Sequence, residues 1–231
     1  MACRTNNTQD SVINLVGLRK KIFNKSAAII GLGGIGCMTA QLLAREGIGS
    51  IMLTDKDKVE KSNLHRQILY DEKDIGKYKV DAAKAKLKRI SPDISLSAIK
   101  AEIGPGNLSK LDSFKPDIIL DCTDNLKTRL AINDYCMGSN NGKNTGVPWI
   151  FATAKGTKGM VCAISDKKAR DWFEHTFAGK KAKKEQVLNT ACNAIACIQA
   201  TEAMKLLCDQ KPSQDLILFD IWKGELRKIR R

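Results

Sequence analysis

The hexapeptide Gly31-Leu32-Gly33-Gly34-Ile35-Gly36 constrains this 231-residue chain more than any other stretch. An apolar run, residues 27–31, precedes it, and residues 35–45 after it have the composition of a helix. Glycine permits a sharp reversal and lets a ligand approach the backbone closely. The free N–H groups and positive dipole end of the helix then attract phosphate. Asp55 directly follows a second apolar run, residues 50–54, where its carboxylate can accept from ribose hydroxyls. The pattern reads as a strand, turn and helix that bind a nucleotide. It does not separate hydride transfer from other nucleotide chemistry.

Apolar runs and helical stretches alternate along the rest of the chain. Residues 78–90 read as a helix closed by Ser91-Pro92, and residues 94–101 and 117–121 as strands. Residues 126–137 and 192–207 read as helices, and 149–153, 160–164 and 216–219 as strands. The expectation is an α/β fold: a Rossmann-like, mostly parallel sheet with flanking helices and a C-terminal extension of the sheet. Residues 1–231 are read as one domain without internal repeats. Residues 165–189 break the pattern. They carry Lys167, Lys168, Arg170, Lys180, Lys181, Lys183 and Lys184 without clear periodicity, and read as a basic crossover loop spanning about 165–190.

Composition narrows the class. Hydrophobic residues at 43% exclude a disordered chain, and no apolar run reaches the length of a membrane-spanning helix. The first residues show no apolar signal region, so a cytoplasmic location is expected. Eight cysteines without a C-x-x-C pair read as reduced, mostly buried thiols, and zinc is not expected. With 39 Lys+Arg against 25 Asp+Glu, the net charge of +14 suggests an anionic partner.

Three further segments choose the chemistry: Ser62-Asn63-Leu64-His65-Arg66-Gln67, Ile75-Gly76-Lys77-Tyr78-Lys79 and Asp121-Cys122-Thr123-Asp124-Asn125. A nicotinamide enzyme has no need of this set. An enzyme that cleaves ATP does: cations hold the triphosphate, a carboxylate holds Mg²⁺, and an amide orients oxygens. Asp57 reads either as a strand-end residue or as a contact to substrate or metal. Arg129 reads either as an active-site contact or as half of a surface ion pair.

Taken in this order, the motifs resemble the ThiF/MoeB/HesA family, the ubiquitin-activating-enzyme-like adenylyltransferases, over residues 26–164 and again over 191–227. The resemblance implies that Gly31, Gly33, Gly34 and Gly36 form the ATP-binding turn and that Asp55 holds the ribose. It implies that Asn63, Arg66 and Lys79 contact phosphates, that Gln67 supports their loop, and that Asp124 binds Mg²⁺. Asn63, Arg66, Lys79 and Asp124 are thus the expected catalytic set, with ATP and Mg²⁺ as cofactors. The implied reaction is attack of a carboxylate on the α-phosphate of ATP, giving an acyl-adenylate and pyrophosphate. In the family that carboxylate is usually the C-terminal glycine of a small ubiquitin-like or sulfur-carrier protein with a di-glycine tail, and a homodimer is expected.

The chain departs from the family pattern in three ways. The two zinc-binding C-x-x-C pairs of many members are missing, and so is the arginine-bearing N-terminal helix that reaches a partner's ATP. No cysteine lies between Ser165 and Ala191. Cys192, at the expected start of a helix whose dipole could lower its pKa, is the candidate for a covalent step, although core packing is the better reading. Two other readings stay open: adenylation of a carboxylate on tRNA, with residues 167–184 and 223–231 on its phosphates, and a non-catalytic partner subunit.

Overall fold

Strand β1 (Ser26–Ile30) runs Ser-Ala-Ala-Ile-Ile, a nearly continuous apolar run, as a strand covered on both faces requires. Its side chains alternate between two cores. Ala27 and Ile29 join one, Ala28 and Ile30 the other. The structure, a computed structural model, describes residues 15–137, 145–179 and 186–231.

Helix α1 (Leu15–Ile22) precedes β1, which leads through the glycine turn into α2 (Gly34–Glu46) and β2 (Ser50–Thr54). Two short 3₁₀ turns, Lys61–Asn63 and Glu72–Asp74, lead to α3 (Lys79–Ile90) and β3 (Ser95–Ile99). Then come α4 (Ser109–Phe114), β4 (Ile118–Asp121), α5 (Leu126–Met137), β5 (Trp149–Lys155) and β6 (Lys158–Ile164). Helices α6 (Lys167–Phe177) and α7 (Asn189–Leu207) and strands β7 (Leu216–Asp220) and β8 (Glu225–Ile229) complete the described chain.

The eight strands form one sheet in the order β3-β2-β1-β4-β5-β6-β7-β8. The first five are mutually parallel, and β6, β7 and β8 add antiparallel neighbours. The expected fold class and its C-terminal sheet extension are therefore observed. The direction of progression reverses between β1 and β4, and open α/β sheets bind ligands outside the strand ends at such a point.

Three differences from the sequence reading have physical causes. The segment read as an aperiodic basic loop contains α6. Asp166 caps it by accepting from the Ala169 N–H at 2.8 Å, and Phe173 packs edge-on against Trp149 (4.8 Å between centroids) and Phe151 (5.3 Å). Arg170, counted among the basic residues, is buried and donates to the Val147 carbonyl. Residues 180–185, with the remaining lysines of that stretch, lie outside the described residues. The basic C-terminal tail is drawn into β8, whose backbone pairs with β7 although all its side chains are exposed. Helix α1 went unread because its polar face dominates a short stretch.

One polar network fixes the long connection from β2 to α3. Lys86 on α3 reaches Asp71 at 2.5 Å and Asp74 at 2.6 Å, and Lys77 reaches Asp74 at 3.1 Å. Asp71 and Asp74 also form a reciprocal capping box around the 3₁₀ turn. Burial alone would raise the pKa of Asp74, but Lys86, the Asp71 N–H and Lys77 bring it down to about 2, from 3.8. A depressed carboxyl stabilises the fold above its unfolded pKa and loses that contribution as pH falls toward its folded pKa. Asp74→Asn is therefore expected to lower unfolding free energy by about 1–2 kcal/mol at pH 7. The gap to wild type should close between pH 4 and pH 2, as measured by urea denaturation across that range.

Candidate active site

A cleft of about 1220 Å³ opens at the carboxyl ends of β1, β2 and β4. The glycine turn forms its floor. Gly31 has φ +91°, and a side chain there would press within 3.0 Å of the Cys122 carbonyl. At Gly36 a Cβ would lie 2.0 Å from the Gly31 carbonyl oxygen, so α2 seats directly on the turn only because Gly36 lacks a side chain. Gly33 differs: among the described residues nothing lies within 4 Å of a Cβ built there. The space beside it belongs to the cleft. No side chain caps α2, so its leading N–H groups remain available to an anion.

Each remaining residue singled out in the sequence has a definite place. Gly31, Gly33, Gly34, Asp55, Asn63, Arg66, Gln67, Lys79 and Asp124 all line the cleft, as does Cys192. Gly36 does not, and serves the helix seat instead. Asp55 uses both carboxylate oxygens on backbone donors, Leu32 N–H at 2.7 Å and Asp57 N–H at 2.8 Å, and so ties the glycine turn to the end of β2. Lys79, nearly buried at the start of α3, holds its ammonium 3.2 Å from Asp57 and 4.0 Å from Asp55. Asp57 is thus a partner of Lys79.

The Asn63–Gln67 turn brings a second cation. The Arg66 guanidinium donates to the Ser62 carbonyl at 3.2 Å and approaches the His65 Nε2 at 3.3 Å. Among the described residues it has no carboxylate partner. Gln67 is 2% exposed, and its buried Oε1 has no hydrogen-bond partner. Tyr70 clamps this region from behind, its hydroxyl 3.3 Å from both the Leu32 and Lys79 carbonyls.

The opposite wall is the loop after β4. Asp121 is fully buried and pairs with Arg129, whose Nε lies 2.9 Å from its Oδ2. Burial raises the pKa of Asp121, while Arg129 and Thr123 pull it down. The Asp121 Oδ1 accepts from both the N–H and the hydroxyl of Thr123, and Arg129 also donates to the Thr123 carbonyl and stacks over Phe151 at 4.7 Å. Arg129 is therefore neither a surface ion pair nor a cleft residue; it holds the loop from below. That leaves Asp124 exposed at the cleft, its carboxylate without a partner among the described residues. Glu102 closes one side, accepting from Lys56 and Asn125 at 2.6 Å each.

Cys192 is buried, as the core-packing reading of it has it. Helix α7 begins at Asn189, so Cys192 lies within its first turn and packs where a Cβ on Gly34 would come within 2.9 Å of its Sγ. Burial pushes its pKa up to about 11, although Arg66 pulls the other way. The dipole does not deliver a reactive thiolate. On the far side, residues 186–188 pair with Gly156, which donates to the Gln186 carbonyl and accepts from Leu188 N–H at 2.9 Å each. This strap was invisible in the sequence, having no motif of its own.

A doubly wound sheet with a phosphate-ready glycine turn, a cleft lined by Lys56, Lys58, Arg66 and Lys79, and a carboxylate unpartnered among the described residues suits a nucleotide-binding enzyme of the adenylyltransferase type. Residues 8–231 match the ThiF family, and the chain belongs to it. It is 33% identical over 217 residues to the sulfur carrier protein ThiS adenylyltransferase of Escherichia coli, covering 91% of this chain and 84% of that protein. It is 30% identical to the molybdopterin-synthase adenylyltransferase of the same species, covering 87% of this chain and 81% of that one. Among solved structures, E. coli MccB with AMPCPP and MccA superposes with a TM-score of 0.75 at 25% identity; 93% of this chain matches 66% of that one.

The glycines separate folding from binding. Gly36→Ala forces a methyl into a backbone carbonyl and is expected to destabilise the protein by about 3 kcal/mol or more. Gly33→Ala meets no protein atom, so it should leave the melting temperature within a few degrees while weakening nucleotide binding. Thermal denaturation and ATP titration of both variants check the contrast.

Proposed function

We propose that the protein uses ATP and Mg²⁺ to adenylate the C-terminal glycine carboxylate of a small ubiquitin-like or sulfur-carrier protein. The observation that carries this reading is the convergence of Arg66, Lys79 and an unpartnered Asp124 on the glycine-turn cleft. The named activities of the two E. coli relatives support it.

The chain's own groups suit the step. The leading N–H groups of α2 and the side chains of Asn63, Arg66 and Lys79 stabilise charge that builds on the phosphates during in-line displacement. Lys79 exchanges carboxylate partners for phosphate oxygens, and Asp57 and Asp55 keep it in place beforehand. No general base is needed, because a carboxylate is already ionised near neutral pH. Asp124 would hold Mg²⁺. Among the described residues no three acidic, His or Cys side chains cluster around a metal position, which suits an ion that takes one carboxylate and fills its shell with phosphate and water. When bound, the ion neutralises phosphate charge. Thr153, Ala154, Thr157 and the strap at residues 186–188 line the same cleft, and an extended peptide tail would lie against them.

The reading includes a single domain over residues 1–231, a homodimer and a cytoplasmic location. Among the described residues no helix is long and apolar enough to cross a membrane.

ATP–pyrophosphate exchange tests the proposal. Exchange should require a carrier ending in Gly-Gly and vanish when that tail is removed. Arg66→Ala and Asp124→Ala should each lower it on the order of a hundredfold. Exchange driven by tRNA instead would move the acceptor to a nucleic acid. ATP binding with no exchange, unaffected by Arg66→Ala, would make the protein a non-catalytic partner subunit.

A further inference from the structure

Gln199 lies midway along α7, fully buried, and does not line the cleft. Its Nε2 donates to the Asp121 carbonyl at 2.9 Å and to the Ile150 carbonyl at 3.1 Å. Its Oε1 accepts from the Thr39 hydroxyl at 2.9 Å and the Cys122 thiol at 3.2 Å. A primary amide has two donor hydrogens and two acceptor lone pairs, so these four bonds use it to capacity.

The partners span the two walls of the nucleotide cleft. Thr39 sits on α2, one turn beyond the N-terminus that faces the phosphates. Asp121 and Cys122 end β4 and lead directly into Asp124. Asp124 has no grip of its own, so its position derives from residues 121–123, held at the Asp121 carboxylate by Arg129 and at the Asp121 carbonyl by Gln199. Bonds shielded from water are costly to lose singly, because each leaves a buried group unsatisfied.

We propose that Gln199 is a positioning residue: it fixes the spacing between the phosphate-binding end of α2 and the loop that carries Asp124. A methionine would match its volume but remove all four bonds, and a glutamate would keep the acceptors and lose both donors. The ligand in this inference rests on the adenylyltransferase reading, whereas the clamp itself is a property of the free protein.

Two measurements test it on the full chain. Amide hydrogen exchange without nucleotide should show residues 32–37 and 122–125 exchanging at least tenfold faster together in Gln199→Met, with β2 and α3 unchanged. Calorimetric titration should show MgATP binding at least tenfold weaker in the same variant. Thr39→Val, which deletes one bond, should show the same pattern at smaller size, and Thr39→Ser, which keeps the hydroxyl, should restore both readouts. Faster exchange confined to α7, or MgATP affinity within twofold of wild type in folded Gln199→Met, overturns the proposal. If Gln199→Met does not fold, wild-type behaviour of Thr39→Val in both readouts overturns it instead. Failure of the wild type to bind MgATP would strike the functional reading, while the exchange pattern would still decide the clamp.

Discussion

The contact between Gly36 and the Gly31 carbonyl is the constraint from which the site is built. A helix can start this close to the end of β1 only where Gly36 carries no side chain. That approach aims the unpaired N–H groups of α2 across the end of the parallel sheet. The reversal of strand order beside β1 keeps the space above them open, because successive crossovers leave in opposite directions. Asp55 then secures the turn from β2 through the Leu32 N–H.

Electrostatics follows from this frame. Each cation proposed to contact phosphate is held by groups that a more anionic ligand can outbid. Lys79 rests against two carboxylates, and Arg66 rests only on a carbonyl and an imidazole. Buried charges without partners are costly, so the nearly buried Lys79 needs its acids, while the more exposed Arg66 can wait in water. The +14 charge of the chain is mostly elsewhere; residues 223–231 alone carry five basic residues against one acid.

The parallel half of the fold was legible because its strands are short apolar runs between helical stretches, and because Gly, Asp and Pro mark their ends. The cleft residues were legible because phosphate chemistry demands particular types at particular places. Helix α6 was not, since seven basic residues over residues 167–184 hid the Ala169–Phe173 spacing that packs it. Nor was the job of Arg129, because a guanidinium under a loop and one at a surface look alike in sequence. Gln199 was read only as part of an apolar helix. A lone amide among apolar neighbours does signal a buried polar hub, but its partners lie at residues 39, 121, 122 and 150, and only the fold brings those together.

The same geometry bears on where the chemistry stops. Two thiols line the cleft, Cys122 and Cys192, and burial raises the pKa of both. A thiol attacks an acyl group as its anion, and one with a pKa of about 11 is almost wholly protonated near pH 7. Arg66 lies close enough to pull Cys192 downward, but in the proposed reaction that guanidinium is committed to phosphate. Among the described residues neither cleft thiol has its pKa lowered, so the geometry gives a covalent cysteine step no support at either position.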